Sequence, residues 1–149
     1  MHYRLTANCV LLSILTSTSA LAQSTLGELF DSGAKKLSKD EVLSAVSGNT
    51  ISGPSKSGGE FHADYKSDGS YTGYRKGYTG SPQPLAIGEF GTWTVDETGK
   101  WCTHFIYGGY KQRTNCGYLF RMGDQYYGSD SDTDRSAPVR LRTLQKSPR

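Results

Sequence analysis

Cysteine and histidine are the side chains of this 149-residue sequence best suited to metal binding or covalent chemistry, and few of them are present. Cys102, Cys116, His62 and His104 are those that lie beyond residue 22. None of them stands in a C-x-x-C or H-x-x-x-H spacing, so the pattern indicates no zinc site. Two cysteines in an exported chain most often form a disulfide. We therefore predict a Cys102–Cys116 disulfide, no bound metal and no cofactor.

Nucleophilic catalysis requires a nucleophile, a base and a group that orients the base. With both cysteines in a disulfide only hydroxyl nucleophiles remain, and no G-x-S-x-G elbow, phosphate-binding loop, dinucleotide fingerprint or haem motif occurs. His62 and His104 are the only plausible bases. Carboxylate pairs could in principle be Glu60 with Asp64, or Glu89 with a partner across the sheet. Since a histidine in a strand is more often a surface or packing residue, we assign no catalytic residue.

Three alternating aspartates, Asp130, Asp132 and Asp134, resemble the start of a calcium-binding loop. The pattern of such a loop continues to a glutamate that supplies two further oxygen ligands. No glutamate follows here, so we predict that residues 129–136 form a polar loop rather than a cation site.

Tyrosine is over-represented, with ten tyrosines beside two tryptophans. High strand propensity and packing at strand ends account for many such residues. The alternative is a tyrosine-lined pocket or an interaction surface, because tyrosine is enriched at interfaces. The candidate binding surface comprises Tyr65, Tyr71, Tyr74, Trp93, Trp101, Tyr107, Tyr118 and Tyr126.

The N-terminus has the composition of a secretory signal peptide. Arg4 is its only charged side chain, an apolar stretch follows, and Ala20-Leu21-Ala22 forms the small-x-small pattern that precedes cleavage. The apolar stretch is shorter than the ~20 residues of a membrane-spanning helix. We therefore expect residues 1–22 to be cleaved after Ala22, leaving a periplasmic or secreted protein without stable membrane insertion.

The charge of the chain is nearly balanced, with 17 Lys and Arg residues against 14 Asp and Glu residues. These charges are dispersed along the sequence rather than concentrated in one basic block. Binding to nucleic acid or to an anionic membrane depends on concentrated positive charge. The composition therefore argues against a nucleic-acid partner.

Two kinds of secondary structure are expected along the chain. Residues 23–48 are predicted to form a short N-terminal helical segment, packed as one unit with a β domain of residues 49–149. Gly33 interrupts its first helix. A second helix is expected from Lys39 to Ser47, with Ser38 and Glu41 as a capping box and Gly48 just after its end.

From Thr50 onward the sequence predicts strands, because runs rich in threonine and aromatic residues alternate with turn residues. The turns are Asp68-Gly69, Glu97-Thr98-Gly99, Gly108-Gly109 and Gly123-Asp124. Ser52 to Gly59 and Gly77 to Pro84 are predicted loops, and Pro138 to Leu144 is the last strand. The expected fold is mainly β, an antiparallel meander of seven or eight strands curled into a small barrel-like sheet.

The cysteine spacing predicts one strand register. A hairpin closed by a three-residue loop at 108–110 places Cys102 directly opposite Cys116, close enough for a disulfide. Alternation along the same strand then separates Cys102 and His104 from Trp101, Thr103 and Phe105. We predict that the face with Trp101 and Phe105 points into the core.

Several short motifs occur in an order typical of one protein family. They are Leu43-x-x-x-x-Gly48-Asn49-Thr50, Tyr65-x-x-Asp68-Gly69, Gly91-Thr92-Trp93-x-Val95, Trp101-Cys102 and Cys116. In these motifs, over residues 38 to 128, the chain resembles the small exported proteobacterial proteins grouped as domain-of-unknown-function family 995. The resemblance implies an exported bacterial protein and brings no established activity or catalytic residue.

The general layout is also similar to calycin-like barrels. In those barrels a Gly-x-Trp motif lies on the first strand, whereas here Gly91-Thr92-Trp93 follows at least one complete hairpin. We therefore interpret this motif as one arm of a hairpin rather than as a ligand-binding signature.

The function expected from the sequence is that of a non-catalytic binding or interaction module. Its partner would be a small ligand or another envelope protein, and the sequence does not identify either. The first alternative is an envelope-acting enzyme that uses His104 or His62 with a carboxylate. The second is a structural envelope protein.

Overall fold

The computed structural model describes residues 24–56, 58–77, 87–107 and 110–147, apart from the side chains of Ile87 and Tyr107. The predicted signal peptide lies outside these ranges, as do the Gly108-Gly109 turn and most of the loop predicted from Gly77 to Pro84. None of the described helices is long and apolar enough to cross a membrane.

Two short helices and nine strands make up the described part of the chain. In chain order they are α1 Leu26–Asp31, β1 Lys35–Lys36, α2 Lys39–Val46, β2 Asn49–Pro54, β3 Glu60–Tyr65, β4 Ser70–Lys76, β5 Ile87–Val95, β6 Trp101–Tyr107, β7 Lys111–Met122, β8 Gln125–Ser129 and β9 Val139–Lys146. The prediction of a mainly β meander is confirmed.

Strands β2 to β9 form a closed, eight-stranded antiparallel barrel. Each strand pairs with the next one in sequence, and β9 pairs with both β8 and β2, which closes the sheet. Closure leaves a sheet without the two free edges that an open meander would expose. The two-residue β1 pairs with β7 outside this ring of strands.

The predicted cysteine register is confirmed. Cys102 lies opposite Cys116 with Cα atoms 4.1 Å apart, and the two form a disulfide. Thr103 and Phe105 are buried inside the barrel, as predicted for that face, whereas His104 is exposed on the outside.

The predicted loop from Ser52 to Gly59 is wrong in its first half. Ser52, Gly53 and Pro54 continue β2, opposite His62, Phe61 and Glu60 of β3. These small residues offered no apolar signal, but the neighbouring strand supplies hydrogen-bond partners for their backbone. Proline is tolerated here because it lies at the end of the strand.

Both helices begin with a capping box. In α2 the side chain of Ser38 accepts from the backbone N–H of Glu41, and the Glu41 carboxylate accepts from the N–H of Ser38, as predicted. In α1 the same reciprocal bonds join Thr25 and Glu28. Such bonds satisfy N–H groups that the first helical turn leaves without partners.

The apolar residues divide into two clusters. The interior cluster fills the barrel and includes Ile51, Tyr65, Trp93 and Phe105, with Val42 and Val46 of α2 packed against it. The outer cluster lies on the outside of β7, β8 and β9, beneath α1. Its buried members are Leu26, Leu29, Ala34, Phe120, Tyr127, Ala137 and Val139.

Glycine at position 91 is required by the curvature of the sheet. A Cβ atom on Gly91 would overlap the carbonyl oxygen of His104 on the adjacent strand. The first residue of the Gly91-Thr92-Trp93 motif therefore serves the close approach of β5 and β6.

Candidate functional site: a polar cavity in the barrel

A cavity of about 100 Å³ lies inside the barrel and opens beside the end of β8. Strand β8 pairs with β7 only from Tyr118 to Met122, so residues 111–117 of β7 continue past it without a β8 partner. Aromatic side chains form much of the cavity wall. These are Phe61, Tyr65, Tyr71, Trp101 and Phe105.

A buried ion pair stands beside the cavity. Nε of Arg75 on β4 donates to Oε1 of Glu89 on β5 over 2.5 Å, and the Glu89 side chain is only 1% exposed. The Tyr71 hydroxyl donates to the other carboxylate oxygen over 2.6 Å. Burial raises the pKa of Tyr71 well above its ordinary value, and the neighbouring Tyr65 and the bond to Glu89 add to the effect. Tyr71 therefore stays protonated and remains a donor to Glu89.

Tyr65 belongs to the interior cluster and also lines the cavity. Its ring contacts Trp101 with centroids 4.9 Å apart and Tyr71 at 5.2 Å. Burial raises the pKa of Tyr65 well above its ordinary value, and a hydrogen bond with Thr103 offsets part of this rise. The phenol is thus neutral, and it forms a polar but uncharged part of the wall.

The indole N–H of Trp101 is the one buried side-chain nitrogen or oxygen without a hydrogen-bond partner among the described residues. Trp93, eight residues earlier, instead donates its indole N–H to the carbonyl of Lys66 over 2.9 Å. A buried donor without a partner costs free energy.

Arg142 of β9 places a half-buried guanidinium in the cavity wall. The group lies 5.0 Å from the centre of the Phe61 ring, and its Nη1 donates to the carbonyls of Pro54 and Leu141. Arg142 forms no ion pair with any of the described carboxylates, whereas Arg75 is paired with Glu89. Burial lowers the pKa of Arg142 to about 10, so the group remains positively charged at neutral pH.

An ion pair crosses the rim of the cavity. Lys56, in the loop between β2 and β3, lies 2.6 Å from the carboxylate of Asp130, just beyond the end of β8. Both side chains are close to half exposed. Exposed ion pairs of this kind are weak, so this contact can open at little cost.

The structure separates the eight residues of the candidate binding surface. Tyr65, Tyr71 and Trp101 come together in the cavity, whereas Tyr118 borders the cavity but packs its side chain against the outer cluster. Trp93 is buried and does not line it. The set therefore does not form one surface, because alternate residues of a strand face opposite sides of the sheet.

The remaining three candidates lie elsewhere or are not described. Tyr74 is on the outside of the barrel, where its ring stacks on His62 with centroids 5.0 Å apart. Tyr126 packs against the interior cluster from β8. The side chain of Tyr107 lies outside the described residues.

Neither histidine forms an acid–base pair in the cavity. His104 is exposed, and its Nδ1 lies 3.0 Å from the hydroxyl of Thr114. Nε2 of His62 is 3.8 Å from an exposed oxygen of Glu60, too far for a hydrogen bond. The two histidines are thus outside the site that the barrel forms.

The described residues contain no group of three or more histidine, cysteine, aspartate or glutamate side chains arranged to hold a metal ion. The aspartates of the 129–136 loop turn to separate partners. Asp130 pairs with Lys56, Asp132 with Lys36, and Asp134 accepts from Ser136.

Neither Arg75 nor Arg142 was predicted from the sequence as a site residue, and Glu89 was predicted only as a possible member of a carboxylate pair. Period-two alternation places Arg75 on the same face of β4 as Tyr71, and Arg142 on the same face of β9 as Leu144. A prediction that Tyr71 and Leu144 face the core would have implied that Arg75 and Arg142 also point inward.

No family model, curated protein or solved structure matches this chain.

Proposed function

We propose that this chain is an exported, non-catalytic binding module that takes a small molecule into its barrel cavity. Export is supported by the N-terminal signal pattern, by the resemblance to domain-of-unknown-function family 995, and by the disulfide. Binding is supported above all by one observation, an aromatic cavity inside the barrel whose wall includes the Trp101 ring.

The size of the cavity limits what it can hold. A cavity of about 100 Å³ is several times larger than the ~10–15 Å³ that one water molecule requires. It therefore has room for a small organic group, with the rest of a longer molecule extending past Lys56 and Asp130. Binding sites for small molecules combine apolar walls with a few fixed polar groups. This cavity has the same composition, since aromatic rings line it together with Thr103 and Arg142.

The alternative of an enzyme using His104 or His62 has less support. Both histidines lie away from the cavity, and neither is within hydrogen-bond distance of a described carboxylate. Inside the barrel, the Glu89 carboxylate already accepts from Tyr71 and Arg75. Because both oxygens of Glu89 already accept hydrogen bonds, this carboxylate is less suited to act as a base toward a bound molecule.

Nuclear magnetic resonance of the two indole N–H groups tests the proposal. The uniformly ¹⁵N-labelled protein gives one indole peak each for Trp93 and Trp101, assigned with the Trp101→Phe variant. Benzoate, benzamide, hexanoate and hexanamide are titrated as probes at millimolar concentrations. We expect at least one probe to shift the Trp101 peak progressively while the Trp93 peak, bonded to Lys66, stays in place.

Trp93 is the internal control of this experiment, because it belongs to the same barrel but does not line the cavity. Equal shifts of both peaks would indicate a general effect on the fold. An unchanged Trp101 peak with every probe would contradict binding in the cavity.

A further inference from the structure

We infer that the molecule bound in this cavity carries a carboxylate, and that Arg142 recognises it through a pair of parallel hydrogen bonds. The inference rests on the proposed function and adds the chemical class of the ligand. It is carried by the free donor edge of one guanidinium, by the glycine beside it, and by the pairing of the charges around it.

The first observation is which donors of Arg142 are already used. Nη1 donates to the carbonyl oxygens of Pro54 and Leu141, at 3.1 Å and 3.0 Å. These two bonds, and the Phe61 ring beneath, fix the plane of the group. Among the described residues Nε and Nη2 donate to no acceptor, and these two nitrogens form the edge that binds a carboxylate with two parallel bonds.

The second observation is that β8 approaches this edge with a glycine, which has no side chain. A Cβ atom on Gly128 of β8 would lie 3.0 Å from Nε and 3.3 Å from Nη2 of Arg142. Any side chain at position 128 would therefore crowd the volume next to the two free donors. Gly128 and Arg142 both line the cavity.

The third observation is the charge around the cavity. Arg75 is neutralised by Glu89, and Lys56 by Asp130. Arg142 forms no ion pair with a described carboxylate. Arg140, on the same face of the strand, lowers the pKa of Arg142, and Asp130, which is paired with Lys56, acts in the opposite direction. A ligand that brings one negative charge would neutralise the group, which otherwise remains a partly desolvated cation.

A carboxylate fits this arrangement better than a phosphate monoester. One planar edge matches the two oxygens of a carboxylate, whereas a phosphate brings a second charge and a third oxygen for which the cavity wall offers no second unpaired cation of comparable burial. Trp101 lines the same cavity.

Calorimetric titration with matched probes tests the inference. Benzoate and hexanoate are compared with their neutral amides, benzamide and hexanamide, and with phenyl phosphate. We expect the carboxylates to bind at least tenfold more tightly than the amides and the phosphate. Arg142→Met should lower carboxylate affinity at least tenfold. Arg142→Lys, which keeps the charge but loses the paired donors, should lower it by a similar order.

Two glycine variants separate the free edge from general effects on the strands. Gly128→Ala places a methyl group beside Nε and should weaken benzoate binding strongly, whereas Gly88→Ala, on β5, meets no atom within 4 Å and should leave it unchanged. Circular dichroism confirms that each variant is folded before it is titrated.

The outcomes distinguish the inference from the proposal on which it rests. Amide binding as tight as carboxylate binding, tighter binding of phenyl phosphate, or full affinity in Arg142→Met would overturn the carboxylate inference while cavity binding stands. Unchanged affinity in Gly128→Ala would overturn the position of the carboxylate at the Nε–Nη2 edge. Absence of binding by every probe would overturn both.

Discussion

Trp93 and Trp101 lie on the adjacent strands β5 and β6, but only one of their indole N–H groups is hydrogen-bonded. The indole N–H of Trp93 donates to the Lys66 carbonyl in the turn between β3 and β4, whereas that of Trp101 has no partner in the described structure. Both rings contact Tyr65. The first indole holds a turn in place, and the second belongs to a residue that lines the cavity.

Replacing each tryptophan by phenylalanine should therefore have unequal effects on stability. Both variants lose ring volume, but only Trp93→Phe removes a hydrogen bond, the one to the Lys66 carbonyl, which then keeps only the N–H of Gly69 as a donor. We expect Trp93→Phe to have a free energy of unfolding about 0.5–1.5 kcal/mol below that of Trp101→Phe. Denaturant unfolding followed by circular dichroism measures both. Equal losses, or a larger loss in Trp101→Phe, would contradict this reading of the two bonds.

At the scale of single residues, the sequence indicated which kinds of side chain form the site better than it indicated the face of the sheet on which each one lies. It singled out Tyr65, Tyr71 and Trp101, which do meet in the cavity. It also grouped them with Tyr74, which lies on the opposite side of the sheet. Arg142 was not singled out because alternation along β9 shows that arginines share a face without showing whether that face points inward.

The two helices are too short to be stable alone, and their capping boxes contribute to their stability. The Glu41 carboxylate accepts from the N–H of Ser38, and the Glu28 carboxylate from the N–H groups of Ser24 and Thr25. In each case these backbone bonds, with the adjacent serine hydroxyl, lower the pKa of the carboxyl group.

These lowered pKa values predict an acid-dependent loss of stability. A carboxyl whose pKa is lower in the folded than in the unfolded chain stabilises the fold above the unfolded value, ~4.3 for glutamate. The stabilisation is lost as the pH falls through the folded value. Glu41→Gln keeps a hydrogen-bonding side chain but removes the titration. We expect its free energy of unfolding to fall less steeply than that of the wild type below about pH 4.5.

Glu28→Gln serves as the matched variant, because α1 has the same capping box on a different part of the barrel. The double variant should show a shallower acid dependence than either single variant. Denaturant unfolding at a series of pH values between about 2.5 and 7 measures these slopes. An acid dependence identical to that of the wild type in all three variants would contradict the prediction.

At the scale of elements, local signals were sufficient where a turn and a side-chain pair agreed. The Cys102–Cys116 register and the start of α2 at Ser38 follow from such local agreement, and both are confirmed. The extension of β2 to Pro54 was not predicted. Residues 52–54 lack strand-forming side chains, and they are held in the strand by pairing with β3. Strand ends that depend on a neighbour leave no local signal.

The whole barrel depends on contacts that are distant in sequence. Strand β9 closes it by pairing with β2, nearly a hundred residues earlier, and such pairing has no counterpart in a local pattern. The outer cluster beneath α1 rests on β7, β8 and β9, and these strands also face the interior. The two apolar clusters therefore share a wall.

A shared wall predicts that the two clusters unfold together. Leu29 of α1 is fully buried in the outer cluster, so Leu29→Ala should cost about 2–5 kcal/mol. Although this site belongs to the outer cluster, we expect the transition of the interior tryptophans, followed by fluorescence, to shift with the transition followed by circular dichroism. Leu141→Ala, whose side chain is 44% exposed, is the control and should change stability by less than about 0.5 kcal/mol. A separate early transition that leaves the tryptophan signal unchanged would show that α1 unfolds independently of the barrel.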